Sequence, residues 1–111
     1  MAKTLTDVGI QKIGQRFADS IDHAAFTLNG VPKTVAPFRK IVEGETVNIY
    51  VYFDDTVKGT VADTRLIDVD GDVVAAADWA FDKPTSKGLY IAFKYQIIER
   101  ETEVKVTDGT V

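Results

Sequence analysis

The sequence predicts an α+β domain that is mostly β: an antiparallel β-sandwich or curved sheet of about six strands, carrying one N-terminal amphipathic helix. Three observations lead there. Apolar residues recur at three- and four-residue steps near the N-terminus, where Ile10, Ile13, Phe17 and Ile21 follow one another. Later apolar stretches alternate with period two, as in Thr46 to Phe53 and Gly88 to Glu99. Short turn signals separate them, among them Asn29-Gly30 and Asp70-Gly71. Period 3.6 marks a helix face, period two a strand, and close turns an antiparallel meander or Greek key.

The helix is expected between about Thr6 and Ile21. Gln11, Lys12, Gln15, Arg16 and Asp19 fall between its apolar positions, which makes it amphipathic. Thr6 is placed to accept a hydrogen bond from a first-turn amide, Asp7 suits the positive end of the helix dipole, and Leu5 can staple onto Ile10. Gly9 and Gly14 each cost about 1 kcal/mol relative to Ala in a helix interior, so the helix depends on docking, or glycine permits close approach to a strand.

Phe26 and Leu28 alternate with Thr27 in a first strand that ends at Asn29-Gly30 and Pro32. Val35 to Val42 reads as a second strand. Pro37 interrupts it and cannot donate to a ladder, which implies an edge or a bulge. After Glu43-Gly44, Thr46 to Phe53 puts Val47, Ile49, Val51 and Phe53 on one face. Asp54 to Thr60 reads as a connection, Thr64 to Val69 as a strand, and Asp70-Gly71 as a hairpin turn that returns the chain through Asp72 to Phe81. Lys83 to Lys87, beside Pro84 and Gly88, is a loop. Gly88 to Glu99 has the longest alternation and reads as a central strand with Leu89, Ile91, Phe93, Tyr95 and Ile97 on its buried face. From Arg100 the chain alternates weakly through Val104 and Val106, as a late strand or a frayed tail.

The 111 residues suit one domain, 1–111, frayed at 1–4 and 107–111. With 45% hydrophobic and 27% charged residues the composition is globular. There is no cysteine, so no disulfide, thiolate zinc site or cysteine nucleophile can form. A net charge of −4 with scattered basic residues argues against a nucleic-acid partner. No apolar run approaches the roughly 18 residues of a spanning helix, so membrane insertion is not expected.

No residue set announces a reaction. Asp68, Asp70 and Asp72 invite a calcium reading, but counting from Asp68 the sixth and twelfth loop positions hold Val73 and Trp79, where an EF-hand needs Gly and a bidentate acid. A hairpin in which Asp70 and Gly71 are the two positive-φ residues is the reading preferred, with no metal. His23 is the only histidine and stands at no motif spacing from a serine or carboxylate. Ser20 and Ser86 lie in no nucleophile elbow. Lys83 to Gly88 lacks the residue order of a phosphate loop and precedes a strand. No catalytic, cofactor-binding or metal-binding residues are therefore assigned, and no cofactor. Tyr50, Tyr52, Tyr90, Tyr95 and Trp79 either form an aromatic platform for sugar or peptide or reflect the ordinary aromatic content of strands.

Taken together, four segments resemble small N-terminal or connector domains of bacteriophage tail-fibre and baseplate proteins. Leu5-Thr-Asp-Val-Gly-Ile-Gln-Lys-Ile-Gly14 is similar to their Leu-Thr-Asn-x-Gly-Leu helix opening, and Phe26-Thr-Leu-Asn-Gly30 to the strand and glycine turn that follow. Thr64 to Asp72 is similar to their strand and Asp-Gly hairpin, and Gly88 to Glu99 to their closing strand. Two departures stand out: the acidic glycine pair after the first strand is reduced to Asn29-Gly30, and no fibre shaft follows before Val111. The resemblance implies a non-enzymatic structural protein of a phage tail or prophage-derived particle. Its expected partners are itself, as a trimer or ring, and other tail proteins; its place is the virion, reached through the host bacterial cytoplasm during assembly. The residues expected at interfaces are Tyr50, Tyr52, Tyr90, Ile98, Val104 and Val106. The alternative is a carbohydrate- or peptide-binding β-module, and a small enzyme ranks last.

Overall fold

In the computed structural model, residues 4–84 and 88–106 are described. They form α1 (Asp7–Ser20), β1 (Ile21–Leu28), β2 (Val31–Val35), β3 (Arg39–Glu43), β4 (Thr46–Phe53), β5 (Gly59–Asp68), β6 (Val73–Lys83) and β7 (Leu89–Gln96). All pairings are antiparallel and make two sheets, ordered β2-β1-β5-β6 and β3-β4-β7. Inner-face residues from both sheets share one core: Ala24 and Phe26 of β1 and Val61 and Leu66 of β5 meet Val47, Ile49, Val51 and Phe53 of β4 and Ile91 and Phe93 of β7. This is the mostly-β α+β sandwich predicted, with seven strands among the described residues.

The helix forms where its signals place it. Thr6 Oγ1 accepts a hydrogen bond from the Gly9 amide at 3.0 Å, and Asp7 occupies the first turn. Its buried face differs from the large-residue stripe. Gly14 and Ala18 are the buried positions, Ile10 and Phe17 are half-buried, and Ile13 is exposed. Small residues sit innermost because the helix lies close to β4: a Cβ on Gly14 would come within 2.8 Å of Val47 Cγ2 and 3.1 Å of Ile97 Cδ1.

Asn29 and Gly30 take φ values of 51° and 82° in a two-residue hairpin between the partners Leu28 and Val31, as expected of a type I′ turn. Of the single strand expected at Val35 to Val42, Val35 is the end of β2 and Arg39 to Val42 lie in β3, in the other sheet; the rest of β2, Val31 to Thr34, falls where the sequence reads only as a turn. The chain crosses from β2 to β3 through Ala36, Pro37 and Phe38, and both strands lie at sheet edges, where a missing N–H does no harm. β5 starts at Gly59, inside the expected connection. Asp63, at φ 54°, bulges out of the ladder, so Val61 and Thr64 are both buried although three residues apart. That extra residue breaks the alternation a strand is recognised by.

Three more expectations change. At Asp70-Gly71 only Gly71 has a positive φ. The loop is closed instead by Asp68, whose Oδ1 accepts from the amides of Asp70 and Asp72 at 3.0 and 2.9 Å. Lys83 is the buried end of β6, with Nζ donating to the carbonyls of Val57 and Pro84; of the expected loop, residues 85–87 lie outside the described residues. The strand expected to be central, β7, is an edge, and β4 is the middle strand of that sheet. Alternation reports which face is buried, not how many neighbours a strand has. Ile91 and Phe93 are buried as expected, while Tyr95 on the same face is partly exposed.

Beyond β7, the Ile97 amide donates to the Glu45 carbonyl at 2.7 Å, and Thr4 and Leu5 donate their amides to the Glu99 carboxylate. Residues 97–106 form no strand. Of the fraying expected at 1–4 and 107–111, residues 1–3 and 107–111 lie outside the described residues, and Thr4 is tied to Glu99.

Candidate functional site

The strand period decides which aromatics reach the surface together. On β4, Tyr50 and Tyr52 alternate with the buried Ile49, Val51 and Phe53, so both phenol rings stand on the outer face of β3-β4-β7. The β4–β7 register sets Tyr52 opposite Tyr90 and Tyr50 opposite Ala92. Phe38 joins from the crossover, its amide donating to the Tyr50 carbonyl at 2.9 Å. Ring centroids lie 4.7 Å apart for Tyr52–Tyr90, 5.4 Å for Phe38–Tyr90 and 5.5 Å for Phe38–Tyr52, all tilted or edge-on. Such cross-strand ring contacts contribute about 0.5–1.5 kcal/mol each beyond area burial. Phe38 and Tyr90 are nonetheless more than half exposed.

Gly88 completes the cluster. A Cβ there would overlap the Tyr52 hydroxyl and ring, so only glycine lets the start of β7 pass under that ring. On one side of Tyr90, a hollow of about 320 Å³ is lined by Phe38, Arg39, Ile41 and Tyr50. On the other, a groove of about 330 Å³ separates β6 from β7, lined by Trp79, Ala80, Phe81, Leu89, Ile91 and Ala92. Trp79 is 63% exposed. Tyr90 thus belongs to both depressions.

Of the aromatics expected to share a platform, Tyr50, Tyr52 and Tyr90 are brought together, and Trp79 lines the groove beside Tyr90. Tyr95 is not among them. It lies on the opposite face of β7, edge-on to Phe17 with centroids 6.0 Å apart, and desolvation holds its hydroxyl pKa above the ordinary tyrosine value. Phe38 went unassigned because it lies in a crossover where no period operates. Its one signal is an aromatic directly after a proline that breaks a strand. Ile98, Val104 and Val106 stand apart from the ring cluster, at 71%, 69% and 96% exposure.

The other candidate groups are accounted for locally. Carboxylate oxygens of Asp68, Asp70 and Asp72 lie within 4.8 Å of one another, with Asp68 turned inward onto its own loop. His23 sits half-buried on β1 with Nδ1 2.8 Å from Oδ2 of its neighbour Asp22. Ser20 Oγ donates to the Phe17 carbonyl and finishes the helix, and Ser86 lies outside the described residues. Among the described residues no helix is long and apolar enough to cross a membrane. Comparison of the chain with protein-family models, curated proteins and solved structures gives no match.

Proposed function

We propose that the chain is a non-catalytic assembly protein of a phage tail or prophage-derived particle, acting through protein–protein contacts made by the outer face and free edge of β3-β4-β7. The observation that carries this reading is the aromatic surface of Phe38, Tyr52 and Tyr90, extended by Tyr50 across a shared hollow and bordered by a strand edge that no other strand covers among the described residues. Aromatic side chains with polar tips lose little rotamer entropy on docking and are enriched at protein contacts. The similarity of the helix opening and the Asp-Gly hairpin to tail proteins supports the particle as the setting. The partners are further copies of the chain and other tail proteins, and the place of action is the virion after assembly in the host bacterial cytoplasm.

A carbohydrate- or peptide-binding module is the second reading. The exposed Trp79, which lines a groove together with Tyr90, favours it, since aromatic rings beside a groove suit a pyranose or an extended peptide. Gradient-purified particles from producing cells, probed with an antibody to the chain, separate the two. The assembly reading expects the chain to co-sediment with particles and Tyr90→Glu to abolish incorporation. A chain found only in the soluble fraction, with oligosaccharides or peptides quenching Trp79 fluorescence, contradicts it.

A further inference from the structure

Among the described residues four strands lie at sheet edges, and three are guarded. β2 carries Pro32 and Lys33; β3 is five residues long, follows Pro37 and begins Arg39-Lys40; β6 carries Asp78 and Asp82 and shifts register near Asp78-Trp79 and Val74. Prolines, charges, short length and bulges are the devices by which edges avoid pairing. β7 has none but Lys94. It pairs with β4 over eight residues without a shift, from Thr46 opposite Gln96 to Phe53 opposite Leu89. Its other side opens onto the Trp79–Phe81 groove. A row of unpaired N–H and C=O groups beside apolar walls fits an extended backbone better than a rigid ring ligand.

The chain contains a segment of matching chemistry. As a strand, Glu101-Thr-Glu-Val-Lys-Val106 would present Thr102, Val104 and Val106 on one face and Glu101, Glu103 and Lys105 on the other. Residues 101–106 pair with no strand among the described residues, and their two valines are 69% and 96% exposed. In its own copy the segment does not turn back onto the β7 edge, and residues 101–106 join neither sheet. Ile97 is tied to Glu45 and Glu99 to Thr4, at the end of β7 opposite the groove residues Leu89 to Ala92.

Resting on the assembly reading above, we infer that residues 101–106 of one copy add as an antiparallel strand to the free edge of β7 in a second copy, with Glu103 opposite Lys94. That register sets Val104 beside Phe93 and Val106 beside Ile91, towards the groove. It sets Lys105 beside Ala92 on the outer face. Lys94 has no ion-pair partner among the described residues, so Glu103 supplies the opposite charge.

Full-length chains test the register because the sequence has no cysteine of its own. Lys94→Cys and Glu103→Cys chains, mixed and mildly oxidised, are expected to form a disulfide-linked pair well above the yield of either alone. Lys94→Glu and Glu103→Lys are each expected to weaken association about fivefold, and together to restore it. Val104→Asp/Val106→Asp is expected to give monomers by light scattering while melting like the parent. No excess cross-link and a mass unchanged in that double variant would overturn the clasp and leave the assembly reading standing on another surface. A parent chain that is monomeric at every concentration would overturn clasp and self-association together, while particle incorporation independently decides the assembly role.

Discussion

Tyr95 shows what one residue of displacement does on a strand. Tyr90 sits at an outward position and joins the exposed ring cluster; Tyr95, five residues on, has the opposite parity and packs on Phe17 of α1. Burial there disfavours the phenolate, so its pKa is raised. A raised folded-state pKa means that the associated stability is fully present below the unfolded tyrosine value, near pH 10, and is lost as pH rises through the folded value. Ultraviolet titration is expected to show a tyrosine component above pH 10 that disappears in Tyr95→Phe, and the variant should lose less stability across that range. Coincident curves for parent and variant would contradict the packing described.

At the scale of elements, Gly14 fixes the distance between α1 and the β4 strand beneath it. Gly14→Ala should gain up to about 1 kcal/mol of helix propensity, yet the new methyl meets Val47 and Ile97, and overpacking of this kind costs about 1–3 kcal/mol. The expected outcome is a lower melting temperature; an unchanged or higher one would mean that α1 rides more loosely. The same helix shows which elements could be read from the chain. Its cap, the Asn29-Gly30 turn and the β4 alternation each rest on local chemistry, within a few residues, and all form as expected. β5 is longer than its alternation suggests because Asp63 inserts a residue into its period, and β2 is hidden in the sequence because Pro32, just after Asn29-Gly30, reads as turn although it lies on an edge strand. The edge position of β7 is likewise set by partners elsewhere in the chain, which no run of β7 residues encodes.

For the whole molecule, the aromatic face was half legible. Parity places Tyr50 and Tyr52 on one side of β4, but only the register with β7 adds Tyr90, and only the crossover adds Phe38. The result is a sandwich whose three-stranded sheet ends in an unguarded strand beside exposed rings, while a strand-like segment of the same chain remains unpaired. Another copy of the chain is predicted to complete this edge. Amide hydrogen exchange of the full-length chain, followed by NMR as concentration is raised, tests it most directly. The alternate β7 amides that point away from β4 are predicted to exchange quickly when dilute and to become protected, together with those of residues 101–106, as copies associate. Exchange of those amides at free-peptide rates at every concentration would contradict it.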